Sequence, residues 1–187
     1  MGRSDEAIAE AKRARELDPL SLPTSAELGA ALYSARRYNE AIEQCRKILE
    51  MDPNYLLAHW WLGLAYEGEG DTPKAIAALE KAASLSGRNS FYLAFLGHTY
   101  AVSGQGSKAQ KILTELKERS KQRYVPPYDM ALIYAGLGEK EQALAWLEKA
   151  YEDRSCSLIT IGAWKQFDSL RSETRFRDLV RRIGFPS

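Results

Sequence analysis

The stretch His59-Trp-Trp-Leu62-Gly63-Leu-Ala-Tyr66-Glu-Gly-Glu-Gly70-Asp-Thr-Pro-Lys-Ala75-Ile-Ala-Ala-Leu79-Glu-Lys-Ala82 decides the fold. Leu62, Gly63 and Tyr66 follow helical spacing and share one face. A glycine on that face lets a second helix come close, and Ala75 supplies the matching small surface at the head of that helix. Gly70 falls between the two, where the first helix should stop, because glycine accepts the left-handed conformation found at helix ends. The segment reads as a helical hairpin.

The hairpin recurs. Ala7, Ala41, Ala75, Ala109 and Ala143 each lie 34 residues from the next. The same frame aligns Leu28, Leu62, Leu96 and Met130. It aligns Gly29, Gly63, Gly97 and Ala131, then Leu32, Tyr66, Tyr100 and Tyr134. Gly2, Gly70, Gly104 and Gly138 form another column, with Arg36 as its exception. The spacing predicts a lone second helix over 4–17, capped by Ser4. Helix pairs follow at 22–35 with 39–51, 56–68 with 73–84, 90–103 with 107–120 and 126–137 with 140–153. Thr72 before Pro73 reads as an N-cap followed by the first helical residue. Ser107 with Gln110 has capping-box spacing.

These columns resemble the tetratricopeptide-repeat (TPR) family, whose signature runs roughly W-x2-L-G-x2-Y, then Ala, an apolar residue, Ala and Pro. His59, Leu62, Gly63, Tyr66, Gly70, Ala75, Leu79 and Ala82 carry the best match. The family's Trp position departs, holding Ser25, His59, Leu93 and Pro127. The closing Pro is present as Pro19 and Pro53, then becomes Gly87, Lys121 and Ser155. The resemblance implies an all-α fold, a helix-turn-helix solenoid winding as a right-handed superhelix. Its expected parts are a half repeat over 1–21, repeats over 22–55, 56–89, 90–123 and 124–155, and a capping segment over 156–187. In that last segment, Ser157 to Gly162 is an apolar run, extended or the start of another helix. Ser172 and Glu173 open a last helix with Phe176, Leu179, Val180 and Ile183 on one face. Because a terminal repeat has no neighbour, its cap needs a polar outer face. Arg171, Arg175, Arg177, Arg181 and Arg182 are read as that solvated face.

Composition is that of an ordinary globular chain of 187 residues, 45% hydrophobic and 27% charged. With 26 basic and 25 acidic residues the net charge is +1, without the basic excess of a nucleic-acid binder. No apolar run is long enough to cross a bilayer. The opening Met-Gly-Arg-Ser-Asp-Glu lacks the apolar core of a signal peptide. Two cysteines, Cys45 and Cys156, are too few for a disulfide scaffold and suit a reducing, cytoplasmic compartment. Cys45 falls in a column with Ala11, Leu79, Leu113 and Leu147, the place of a buried small hydrophobe. No catalytic constellation is present, and His59 and His98 are not at zinc-ligand spacing with the cysteines. The expectation is a chain that is not an enzyme and needs no cofactor.

In TPR proteins the first helix of each pair lines the concave face. On that resemblance the expected peptide contacts are Tyr33; Leu57, Trp60, Leu64 and Glu67; Phe91, Ala94 and His98; Tyr128 and Leu132. None is Lys, Arg or Asn, so the clamp with which chaperone-binding members grip a terminal carboxylate is missing. An apolar, aromatic groove for a polypeptide partner is one use of these side chains. Packing between helices, or against the C-terminal segment, is the other.

The run from Tyr124 to Lys140, then Ala143 to Asp153, Phe167 to Ser172 and Arg175-Phe176, resembles the closing repeat of large bacterial signalling proteins. Those proteins join a winged-helix, kinase or cyclase domain to a TPR half. The resemblance implies a scaffold or sensor fragment, or the regulatory part of an enzyme whose catalytic domain lies upstream. The half repeat at the start carries the same expectation of a longer protein. Ala7, Ile8, Ala11 and Ala14 make an apolar face that has lost one neighbour, which predicts a weak homodimer through residues 4–17.

Overall fold

The structure is a computed structural model that describes residues 2–162 and 164–184. It divides into two compact units, Met1–Gly87 and Arg88–Ser187. All regular structure among the described residues is helical.

The first unit contains α1 (Gly2–Leu17), α2 (Leu22–Ser34), α3 (Tyr38–Met51), α4 (Leu56–Glu69) and α5 (Thr72–Leu85). Each helix packs on the next in chain order, and α2 also packs on α4. The glycine column explains the closeness. A methyl group placed on Gly63 would stand 2.6 Å from Leu79 Cγ and 3.2 Å from the Ala75 carbonyl oxygen. Ala75, Leu79 and Ala82 are fully buried on the α5 side of this contact. Gly29 repeats the arrangement one hairpin earlier, its missing methyl lying 3.4 Å from Cys45 Sγ.

The turns follow the other glycine column. Gly70 ends α4 at φ +86° with open space around it, a conformation that an L side chain rarely adopts. Arg36, the exception in that column, sits at φ +59° all the same. The backbone path is therefore set by the two helices it joins, and the arginine bears the strain.

The second unit contains α6 (Ser90–Val102), α7 (Gly106–Ser120), α8 (Pro127–Leu137), α9 (Lys140–Glu152) and α10 (Thr174–Ile183). Two 3-10 segments, Cys156–Thr160 and Lys165–Leu170, lie between α9 and α10. Here α6 packs against both α7 and α8. The methyl absent from Gly97 would meet Ile133 Cγ1 at 2.9 Å.

Several local expectations are corrected. Ser4 lies inside α1, which is already helical at Gly2. Asp71, not Thr72, caps α5, its carboxylate accepting from Lys74 N at 3.3 Å. Ser107 lies inside α7, whose N-cap Gln105 makes no side-chain capping bond. The 157–162 run takes the helical of its two readings, as a 3-10 helix over Cys156–Thr160. Glu173 caps α10, so Ser172 precedes that helix.

The arginine cluster is only partly a solvated face. Arg175 pairs with Glu141 at 2.8 Å and Glu148 at 2.9 Å, fastening α10 to α9. The Arg182 guanidinium stands 4.2 Å from the Tyr151 ring centre. Exposed pairs of this kind contribute at most about 1 kcal/mol each, so Phe176 and Leu179, both buried, hold the cap more firmly.

Candidate functional site

Exposure along the first helices of the hairpins decides which side chains a partner can reach. On α2, Pro23, Glu27 and Ser34 are exposed and Ala30 is half-buried, at helical spacing. On α4 the matching positions are Leu57, Trp61 and Gly68. Leu57 is 36% exposed, and Trp61 and Gly68 are half-buried.

Trp61 is held by other rings. Its centre lies 5.5 Å from Tyr33 and 4.3 Å from Trp60, and Tyr33 lies 5.7 Å from Tyr38. Contacts of this geometry fix ring orientation as well as burying area. Gly68 makes room for the group, since a methyl there would stand 2.7 Å from the Tyr38 ring. The sequences of α2 and α4 contain no Lys or Arg, and their charged residues are Glu27, Glu67 and Glu69. The Tyr55 phenol at the head of α4 is pushed up by burial, then by the charges of Asp52 and Glu27.

The expected contacts must be re-sorted on this geometry. Leu57 is exposed, and Glu67 and Phe91 are half-buried. Tyr33, Trp60, Leu64, Ala94, His98, Tyr128 and Leu132 are buried, none more than 6% exposed. On α4 the expected Leu57 and Glu67 are accessible, whereas Trp60 packs inward and its neighbour Trp61 is the half-buried tryptophan. The Trp61 column itself gives no mark of this phase, since it holds exposed Glu27 and buried Asp129 alike.

In the second unit the same column is closed. Phe95 and Asp129, the counterparts of Trp61, are each 1% exposed. Trp164 lies against Phe95 with ring centres 5.1 Å apart, and Phe167 meets Tyr128 at 5.6 Å. Arg171 holds this cover in shape, donating to the Gly162 carbonyl at 2.7 Å and pairing with Asp168 at 2.6 Å. His98 is pinned beneath α8, since a methyl on Gly136 would stand 2.9 Å from its carbonyl oxygen. In this unit, packing against the C-terminal segment is the use to which the inner aromatics are put.

Chemistry elsewhere is limited. Burial pushes the Cys45 thiol up to about 12, far from a reactive thiolate. No cluster of three metal-ligating side chains occurs among the described residues. No helix among them is long and apolar enough to cross a membrane. Ile8, expected on an uncovered face of α1, is 3% exposed, and the rest of that face is alanine.

Comparison with known proteins agrees with the geometry. Models of the tetratricopeptide repeat match residues 1–55, 27–90 and 128–152. The Hsp70-Hsp90 organizing protein of Triticum aestivum is 34% identical over 88 residues, 47% of this chain and 15% of that protein. Small glutamine-rich tetratricopeptide repeat-containing protein 2 of Mycosarcoma maydis is 43% identical over 54 residues, 29% of this chain and again 15% of the relative. The chain thus spans a small fraction of the length of these relatives. A thermophilic TPR protein of Thermus thermophilus superposes with a TM-score of 0.66 at 23% identity, covering 90% of this chain and 91% of its own. That likeness shows the fold alone. The repeat models, the hairpins and the superposition agree, and the chain belongs to the tetratricopeptide-repeat family.

Proposed function

We propose that this chain is a protein-interaction module that binds an apolar segment of a partner polypeptide on the first-helix face of the first unit. The observation that carries the reading is the ring-supported Trp61 beside exposed Leu57, on helices with no Lys or Arg. A rigid aromatic next to an aliphatic anchor is the arrangement that dominates interface energies. Tyr33, Trp60 and Leu64 support this face from within, and Glu67 borders it. Phe91 offers a half-buried ring in the second unit, above Ala94, His98, Tyr128 and Leu132. The relatives' names point the same way, because one of them organizes two other proteins. The reading includes a scaffold or sensor role within a larger bacterial, cytoplasmic protein, on the resemblance of residues 124–186.

Peptides selected from a random display library on the full chain should be rich in Leu and aromatic residues. Leu57→Ala and Trp61→Ala should each weaken their binding about tenfold or more while leaving helicity intact. Selected peptides that survive both substitutions but release at moderate salt would place recognition on charged surface elsewhere.

A further inference from the structure

The first unit also contains a cavity of about 200 Å³ between α1, α2 and α3, lined by none of the residues of the aromatic face. Its origin is visible in the repeat. Ser25, which lines it, is the shortest side chain in a column otherwise holding His59, Leu93 and Pro127. Gln44, 5% exposed, lines it in a column otherwise holding Glu10, Ala78, Ile112 and Trp146. At the Ser25 position the other full hairpins carry larger side chains, and the short serine leaves space beside the polar Gln44.

The cavity has two kinds of wall. Ile48 and Met51 are apolar, and methionine adapts to irregular shapes. Arg15 and Lys47 are cationic, and neither has a carboxylate within ion-pair range among the described residues. Arg15, half-buried, is aimed by a chain of hydrogen bonds: it donates to Gln44 Oε1 at 3.0 Å, and buried Gln44 Nε2 donates to the Ser25 carbonyl at 3.2 Å. That relay uses one neutral acceptor and leaves the guanidinium charge uncompensated. An arginine so placed favours an oxyanion, which it can meet with paired N–H groups.

We propose that this cavity is a binding site for a small apolar monocarboxylate, its ring or branched chain against Ile48 and Met51 and its carboxylate on Arg15 and Lys47. Size agrees, since about 150 Å³ is enough for a benzene ring, and the open side, with exposed Lys47 and Met51, gives the ligand a way in. An inorganic anion would leave the Ile48 and Met51 wall unused, and a neutral hydrocarbon would leave both cations without a counter-charge.

The test uses the full chain with 3-phenylpropionate and, as uncharged control, 3-phenylpropan-1-ol. Binding is followed by calorimetry and by the amide NMR signals of Gln44, Ile48 and Met51. Saturable binding of the acid with shifts at these three residues is expected, with the alcohol about tenfold weaker. Arg15→Gln and the surface change Lys47→Gln should each weaken the acid several-fold without altering helicity. Ser25→Leu should fill the cavity and abolish binding. Absence of saturable shifts, equal binding of acid and alcohol, or indifference to Lys47→Gln in a folded variant would overturn the proposal.

Discussion

Asp129, at the third position of α8, is 1% exposed, and its Oδ2 has no hydrogen-bond partner among the described residues. Burial raises its carboxyl from the ordinary 3.8 to about 6, with a hydrogen bond to Ser90 pulling the other way. The sign of the pH effect follows from which state holds the proton more tightly. The folded chain does, so this residue favours folding fully below about pH 4. The contribution falls as pH rises and is gone above about pH 6. A shift of that size corresponds to roughly 3 kcal/mol lost at neutral pH. Asp129→Asn should therefore stabilise the chain at pH 7.5 and change it little at pH 4, read as the difference in thermal midpoint between variant and parent at each pH. An equal difference at both would mean that Asp129 does not titrate in this window. The sequence showed Asp129 only as a charged residue at the head of a helix. The segment that packs on α8, with Phe167 against the adjacent Tyr128, arrives from far along the chain, which local periodicity cannot express.

At the scale of helices, the Gly63 contact is the one the repeat made most legible. Its neighbour in the same column, Ala131, is fully buried in α8, so the column is not closed to a methyl everywhere. In α4 it is closed, because Leu79 fills the space. Gly63→Leu should lower stability by about 1–3 kcal/mol through overpacking, even though replacing glycine in a helix gains about 1 kcal/mol. Urea denaturation decides it: a midpoint equal to or above that of the parent would mean α4 and α5 do not meet here. The helix pairs were readable because every copy must solve the same packing problem, so the 34-residue frame repeats the answer. Caps were less readable, since Asp71 and Thr72 are both good candidates and only the path of the chain chooses between them. The aromatic face was legible in composition but not in which tryptophan it presents. Trp60 and Trp61 are adjacent and chemically identical, so the sequence alone does not choose which one packs inward. The second unit's cover was legible only as an alternative, because 3-10 turns lack the periodicity that marks a helix or a strand.

Over the whole chain the charges nearly cancel, yet they are unevenly shared. The first unit carries ten Lys and Arg against fourteen Asp and Glu, net −4, and the second carries sixteen against eleven, net +5. A near-neutral chain whose parts carry opposite sign has little net repulsion to keep copies apart. The apolar face of α1 does not supply a strong alternative contact, since Ile8 is buried within its own unit. Attraction between copies should then be electrostatic and sensitive to salt. Screening lengths fall from about 30 Å at 0.01 M to about 10 Å at 0.1 M. Light scattering near the sequence pI of 7.7 should give a mean mass above the monomer's 21.0 kDa at low salt. The mass should fall to that of the monomer at about 0.3 M salt, where the Debye length is well below 10 Å. Ile8→Glu should reduce stability without abolishing the low-salt association, because it disturbs packing inside the unit rather than a contact between copies. A mass that rises with salt would instead assign self-association to apolar surface, with Leu57 and Trp61 the first residues to substitute.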